Sequence, residues 1–471
     1  MRLHWQPTSF IVFRYSLSGV EKAIAAGEKP FFEDAIPTQY DHFFDLTGEL
    51  GVLDGFLTLT DLRENPGVPL SALCVLMMCR FLRCIESFRE MGELLLRYRP
   101  LLERLGFSVQ ACEKGVYLCQ RTRRPAGEEG PKVFDEEVFS EVLRDLDREE
   151  LHRLLSKFVG MLRKRYPGLF HEGVFAMDSN HYRLVGSREE RKWCALMLLT
   201  RYGLIPVAIE FSATEGDGTG ETSVGRRVLE RALRTYGAGF MRVVLMDAGY
   251  VDGDTEWWLK NEQGIDWVIR SKEGMRASRY MEGVAMLAPP WRWQKVRPPQ
   301  LELPSAQLPH REILWVEDVP SLPGYESLVN GCVIRDTYPP SEENPEGKVE
   351  YQYLIASNRE WKGVEIHALW RRRWSIENAF GFMTERWGLG KWQIRNGAVY
   401  EATIQFMVLT YGLHILMQTV EQRPQTLRQL KRRFEPQHNM MIIRAGRYCA
   451  VVTTKTLNVW LERGVMTLRG P

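Results

Sequence analysis

The chain has 471 residues, of which 44% are hydrophobic and 26% charged, and its formal net charge is +2. That length excludes one small domain and leaves room for two to four with a sizeable core. Near-neutrality excludes a uniformly basic nucleic-acid binder, so any contact with a polyanion must come from local clusters. Three such clusters exist: Arg371 to Arg373, Lys431 to Arg433, and Arg188 with Arg191 and Lys192. Each alone reads as a solvated face.

The eight cysteines form no CxxC pair, and the nine histidines show no zinc spacing beside them. Several lie in apolar runs such as SALCVLMMCRFLRC, which predicts buried free thiols and a reducing compartment. The first residues, MRLHWQPTSF, lack the charged and apolar regions of a secretory signal.

Residues 1–165 read as a helical region, carried by 69–106 and 134–166, with a basic polar loop, QRTRRPAGEEGPK, between them. Near Pro167 the pattern changes. GVFAMDSN is a short apolar run ending at Asp178. CALMLLTRYGLIPVAIEFSA reads as two strands around a turn at Tyr202-Gly203. ETSVGRRVLERALRTYG is an amphipathic helix closed by Gly237, MRVVLMDAGY a buried strand ending at Asp247, TEWWLKNEQG a short helix and IDWVIRS a further strand. The order is β-β-β-α-β-α-β.

Residues 276–351 hold 11 of the 24 prolines, and their short alternating runs predict a β-rich insertion. VEYQYLIASN then returns to the main sheet. In WRRRWSIENAFGFM, Trp370, Trp374, Phe380 and Trp387 are expected on one apolar helix face, with Glu377 on that same face and Arg373 one turn before it. ATIQFMVLTYGLHILMQTV (402–420) carries no formal charge and matches a membrane span in length. Its Gln405, His414, Gln418 and threonines predict a buried core helix instead. A basic helix, TLRQLKRRF, opens the last 50 residues. The expected organisation is therefore a helical region 1–165, an α/β domain in two parts (166–275 and 352–420), the insertion 276–351 and a C-terminal region 421–471.

Two strands that end in Asp, followed by a helix with a Glu among apolar residues, point to chemistry. Three carboxylates drawn together repel unless a positive charge sits among them. Hard divalent cations suit such a donor set, and two of them about 4 Å apart support in-line phosphoryl transfer. Alone, each Asp reads as a turn former or helix cap, and Glu377 as an i,i+4 partner of Arg373.

Taken together, these segments resemble the DDE transposases of bacterial insertion sequences. VFAMDSN matches the first-Asp strand, VVLMDAGYVDGD the second-Asp strand with its Gly-Tyr sequel, and WRRRWSIENAFGFMTERW the helix motif of an aromatic, an Arg and the Glu: Trp370, Arg373 and Glu377. Trp370 stands where Tyr is usual. Thr384 stands where a Lys is expected, with Arg386 or Lys391 as its replacement. The resemblance covers about residues 170–420. It implies a ribonuclease-H-like mixed sheet flanked by helices and interrupted by the β-rich insertion. Asp178, Asp247 and Glu377 become the catalytic metal ligands for Mg²⁺, or Mn²⁺ in its place, with two ions in the site. DNA is the implied partner, as terminal inverted repeats and as target, with the helical N-terminal region binding the ends and at least a homodimer pairing them. The implied location is the bacterial cytoplasm, at the nucleoid. Arg373 and Lys192 are the expected phosphate contacts, and Trp291 and Trp293 the expected base-stacking residues. Two rivals remain: a non-catalytic DNA-binding derivative, and a ribonuclease-H-like nuclease without strand transfer.

Overall fold

The computed structural model describes residues 14–34, 38–64, 68–95, 102, 136–188, 190–212, 220–237, 239–297, 309–320, 322–340, 345–422, 429, 440–445, 448–453, 458–460 and 462. The QRTRRPAGEEGPK loop, the helix expected at TLRQLKRRF and its Lys431–Arg433 cluster lie outside the described residues, except for helical Gln429. Two units are present: Met1–Leu162 with Leu184–Gly186 and Phe382–Pro471, and Arg163–Arg183 with Ser187–Gly381.

The first unit is built around the uncharged segment. It lies in the helix Gly397–Glu421, started by the Asn396 side chain, which accepts from the Val399 amide at 3.2 Å. The helix is buried along nearly its whole length and packs against the helices Thr38–Glu49, Leu70–Leu82 and Glu136–Asp145. Its threonines are satisfied locally: Thr403 donates to the Val399 carbonyl at 2.6 Å and Thr410 to that of Phe406 at 2.7 Å. Among the described residues no helix is long and apolar enough to cross a membrane. Alongside the helices, four strands form a small sheet in the order β1-β13-β12-β2: β1 (Arg14–Tyr15), β2 (Phe31–Asp34), β12 (Met440–Ala445) and β13 (Tyr448–Thr453).

In the second unit nine strands form one mixed sheet, ordered β5-β4-β3-β6-β7-β11-β10-β9-β8. They are β3 (Val174–Arg183), β4 (Glu190–Leu199), β5 (Leu204–Phe211), β6 (Val243–Met246), β7 (Asp266–Ser271), β8 (Gln294–Val296), β9 (His310–Val319), β10 (Val329–Tyr338) and β11 (Lys348–Ala356). The first three are antiparallel neighbours; β6 and β7 run parallel to β3. This is the expected ribonuclease-H-like arrangement. Residues of β4, β5 and β6 are buried almost without interruption, as in a sheet covered on both faces.

Two local expectations are corrected, and VEYQYLIASN returns to the main sheet as expected. β3 does not end at Asp178; it continues to Arg183, because β4 pairs with it as far as Arg183↔Glu190 while β6 stops at Met177↔Met246. The insertion strands extend the main sheet through β11, which pairs antiparallel with β7. Within the insertion, Arg276–Leu287 is helical and stops just before Pro289-Pro290, since proline cannot continue a helix; the proline density hid it. Five cysteines (Cys74, Cys79, Cys84, Cys194 and Cys332) are free, and all but Cys84 are buried.

Candidate active site

Parallel pairing places the two aspartates side by side. Met177 of β3 faces Met246 of β6, so Asp178 and Asp247 are the next residues on adjacent strands. Such strands lie about 4.8 Å apart. Asp247 opens a 3-10 turn, Ala248–Tyr250, whose Tyr250 amide donates to the Asp247 carbonyl at 3.1 Å.

The helix Gly363–Gly381 supplies the third carboxylate. Glu365 in its first turn accepts from the Lys362 amide at 2.8 Å, half of a capping box. Gly363 lets it approach β9 closely: a Cβ there would sit 3.1 Å from that of Trp315. Ile366, Trp370, Arg373, Ile376, Ala379 and Phe380 are buried. Trp374 is not, contrary to the single apolar face expected. At about 100° per residue it lies between the buried Gly363 and His367, so helical phase alone does not account for its exposure. Glu377 falls between Ile366 and Trp370 in the same projection, with 37% of its side chain exposed.

Arg373 links helix to sheet. Its guanidinium donates to Asp178 Oδ2 at 3.2 Å and to Glu377 Oε1 at 2.5 Å, with only 6% of its side chain exposed. The same group lies 4.7 Å from the centroid of the Trp370 ring. Burial pushes the Asp178 carboxyl up to about 6. The charges of Asp247 and Glu377 push the same way, while Arg373 and the Ser179 amide, 2.8 Å from Oδ1, oppose it. Asp178 therefore senses both other carboxylates across chain separations of 69 and 199 residues.

A second polar group lies on the opposite face of β3 from Asp178, because side chains alternate along a strand. Glu221, first residue of the helix Glu221–Tyr236, accepts from or pairs with His181 Nε2 at 3.1 Å and Lys192 Nζ at 3.5 Å. A Cβ on Gly249, two residues after Asp247, would meet Glu221 Oε2 at 2.2 Å, so any side chain there would push the carboxylate aside. The Ser179 hydroxyl bonds to that of Tyr250, which also lies 3.5 Å from Cys194 Sγ. Nothing in the sequence singles out Glu221 beyond its place as an acidic residue in a first helical turn.

The remaining expected residues divide. Lys192 sits in β4, with its charge shared with Glu221. Trp291 is 82% exposed, whereas Trp293 is 7% exposed and stacked by Arg335, whose guanidinium is 4.0 Å from the ring. Arg386 and Lys391 belong to the first unit; Arg386 is exposed and Lys391 Nζ pairs with Glu86 at 2.8 Å.

The three-carboxylate donor set suits a hard divalent cation, which would relieve the repulsion that Asp178 experiences. Among the described residues, however, no three His, Cys, Asp or Glu side chains already converge as a metal cage.

The family model for the transposase DDE domain matches residues 170–413. The chain belongs to the DDE transposases. No curated protein matches it. Among solved structures, a piggyBac transposase synaptic complex with hairpin DNA, seen by cryo-EM, aligns with 92% of this chain and 80% of that one. The identity is 10% and the TM-score 0.39, a likeness too distant to bear on any residue of this transposase.

Proposed function

We propose that this transposase cuts DNA at the ends of its element and joins the freed 3′-hydroxyls to target DNA, with Asp178, Asp247 and Glu377 as catalytic residues. The observation that carries this reading is that Asp178 and Asp247 follow register partners on adjacent strands while Arg373 joins Asp178 to Glu377. In the first step the oxygen of water attacks the scissile phosphorus and the 3′-oxygen leaves. In the second, that 3′-hydroxyl attacks a target phosphodiester, displacing a 3′-oxygen of the target strand.

Bound Mg²⁺ or Mn²⁺ supplies the charge that activates the attacking oxygen and stabilises the leaving one. Asp178 and Asp247 would hold it from adjacent strands, and Glu377 from the helix. Arg373 carries positive charge to the site edge, where a DNA phosphate is its natural partner. The buried side chains around it fix the helix and exclude water. Trp291, exposed beside Arg292, offers a stacking surface for an unpaired base. Lys192, Arg386 and Lys391 extend the phosphate contacts in the assembled complex. Two ends must be held together, so the acting form is at least a homodimer, working in the cytoplasm at the nucleoid.

The test incubates purified protein with labelled element-end DNA and a target plasmid in Mg²⁺, Mn²⁺ or EDTA. Metal-dependent nicks and joined products are expected. They should vanish in Asp178→Ala, Asp247→Ala and Glu377→Ala while DNA binding persists. Full activity in any one variant removes that residue from the site.

A further inference from the structure

We infer that Arg373 is a built-in counter-cation of the site, one that a divalent metal must displace from Asp178 and Glu377 before all three carboxylates can serve it. The inference rests on the reading of those carboxylates as metal ligands. One guanidinium, almost wholly buried, holds an oxygen of each of two carboxylates that come from different elements. Its Nε is buried without a hydrogen-bond partner, so the two carboxylates and the face of Trp370 are what fix it among the described residues. Glu377, its i,i+4 neighbour, is thereby turned to the arginine, and no three-carboxylate cage is formed. A divalent ion and a guanidinium held by the same two carboxylates, within about 4 Å of each other, repel. Metal entry therefore releases Arg373. The released charge needs an anion, and phosphate is the anion that the substrate brings. Arginine suits this exchange because its planar fork pairs with carboxylate and phosphate alike.

This role and a purely orienting one predict opposite signs. An arm that merely holds Asp178 and Glu377 in place for the metal would weaken metal binding when removed. A counter-cation would strengthen it. The experiment is titration calorimetry of the DNA-free, full-length protein with Mn²⁺ at fixed ionic strength and pH, using wild type, Arg373→Gln, Arg373→Lys and Asp178→Asn. Arg373→Gln is expected to bind Mn²⁺ roughly tenfold more tightly than wild type. Arg373→Lys, which keeps the charge but not the two-armed bridge, should fall between them. The Mn²⁺-induced rise in Tm should follow the same order. If Arg373→Gln does not fold, Arg373→Lys decides alone, since an orienting role makes it bind more weakly than wild type. Equal or weaker binding in the folded variants, with binding lost in Asp178→Asn, overturns the counter-cation and keeps the carboxylate site. Mn²⁺ binding that Asp178→Asn leaves untouched, or no binding at all, overturns both.

Discussion

Arg311→Met should unfold the platform on which the Glu377 helix rests. Arg311 in β9 and Asp336 in β10 are register partners, joined by two parallel bonds of 2.6 and 2.5 Å, and their side chains are 9% and 2% exposed. The helix Gly363–Gly381 packs on both strands. Taking two charges out of water is expensive, and a bidentate pair roughly offsets that cost rather than exceeding it. Removing one partner is another matter: Asp336 would be left buried with its charge uncompensated. A loss of about 3–5 kcal/mol is expected for Arg311→Met, read from urea unfolding at pH 7.5 by tryptophan fluorescence. The double variant Arg311→Met/Asp336→Leu removes both charges while keeping apolar volume, and should recover most of that loss. The reasoning is refuted if Arg311→Met costs under about 1 kcal/mol, or if the double variant loses the sum of the two singles, because the coupling between the pair would then be absent.

Two further outcomes follow from burial in the same unit. His367 is buried, and burial first, then the charges of Arg311 and Arg371, push its imidazole down to about 4 from an ordinary 6.5. The unfolded chain therefore binds the proton more readily between these values. The associated stability, about 3 kcal/mol, is present above pH 6.5 and lost as pH falls towards 4. His367→Gln should flatten the fall in stability over that window, and an unchanged slope would show that this histidine does not drive it. Trp293→Ala should lower stability by about 3–5 kcal/mol, as for a buried aromatic, whereas Trp291→Ala should stay within about 0.5 kcal/mol. Equal losses in thermal unfolding would contradict the division of the two tryptophans between core and surface.

The pattern around Asp178 and Asp247 was legible because it is local. Short apolar runs form buried strands, and once the sheet pairs them in parallel, two Asp residues at matching places become neighbours. The uncharged segment was legible as a core helix for a similar reason: its scattered Gln, His and Thr can be satisfied inside a protein. Elsewhere local pattern misled. Proline density in the insertion hid the helix Arg276–Leu287, whose prolines come only after it. Trp374 shares a helix with Trp370 but is exposed.

The sequence by itself determined the β-β-β-α-β-α-β order around the two aspartates and the motif that marks a DDE transposase. Tertiary structure decided which charges pair and which aromatics face water. Arg373 reaches across to Asp178, 195 residues earlier, Lys192 is claimed by Glu221, and Trp293 is buried while Trp291 is not. The physical reason is one of range. Backbone preference and hydrophobic period act over a few residues, whereas desolvation and ion pairing depend on whatever the completed fold brings within a few ångströms.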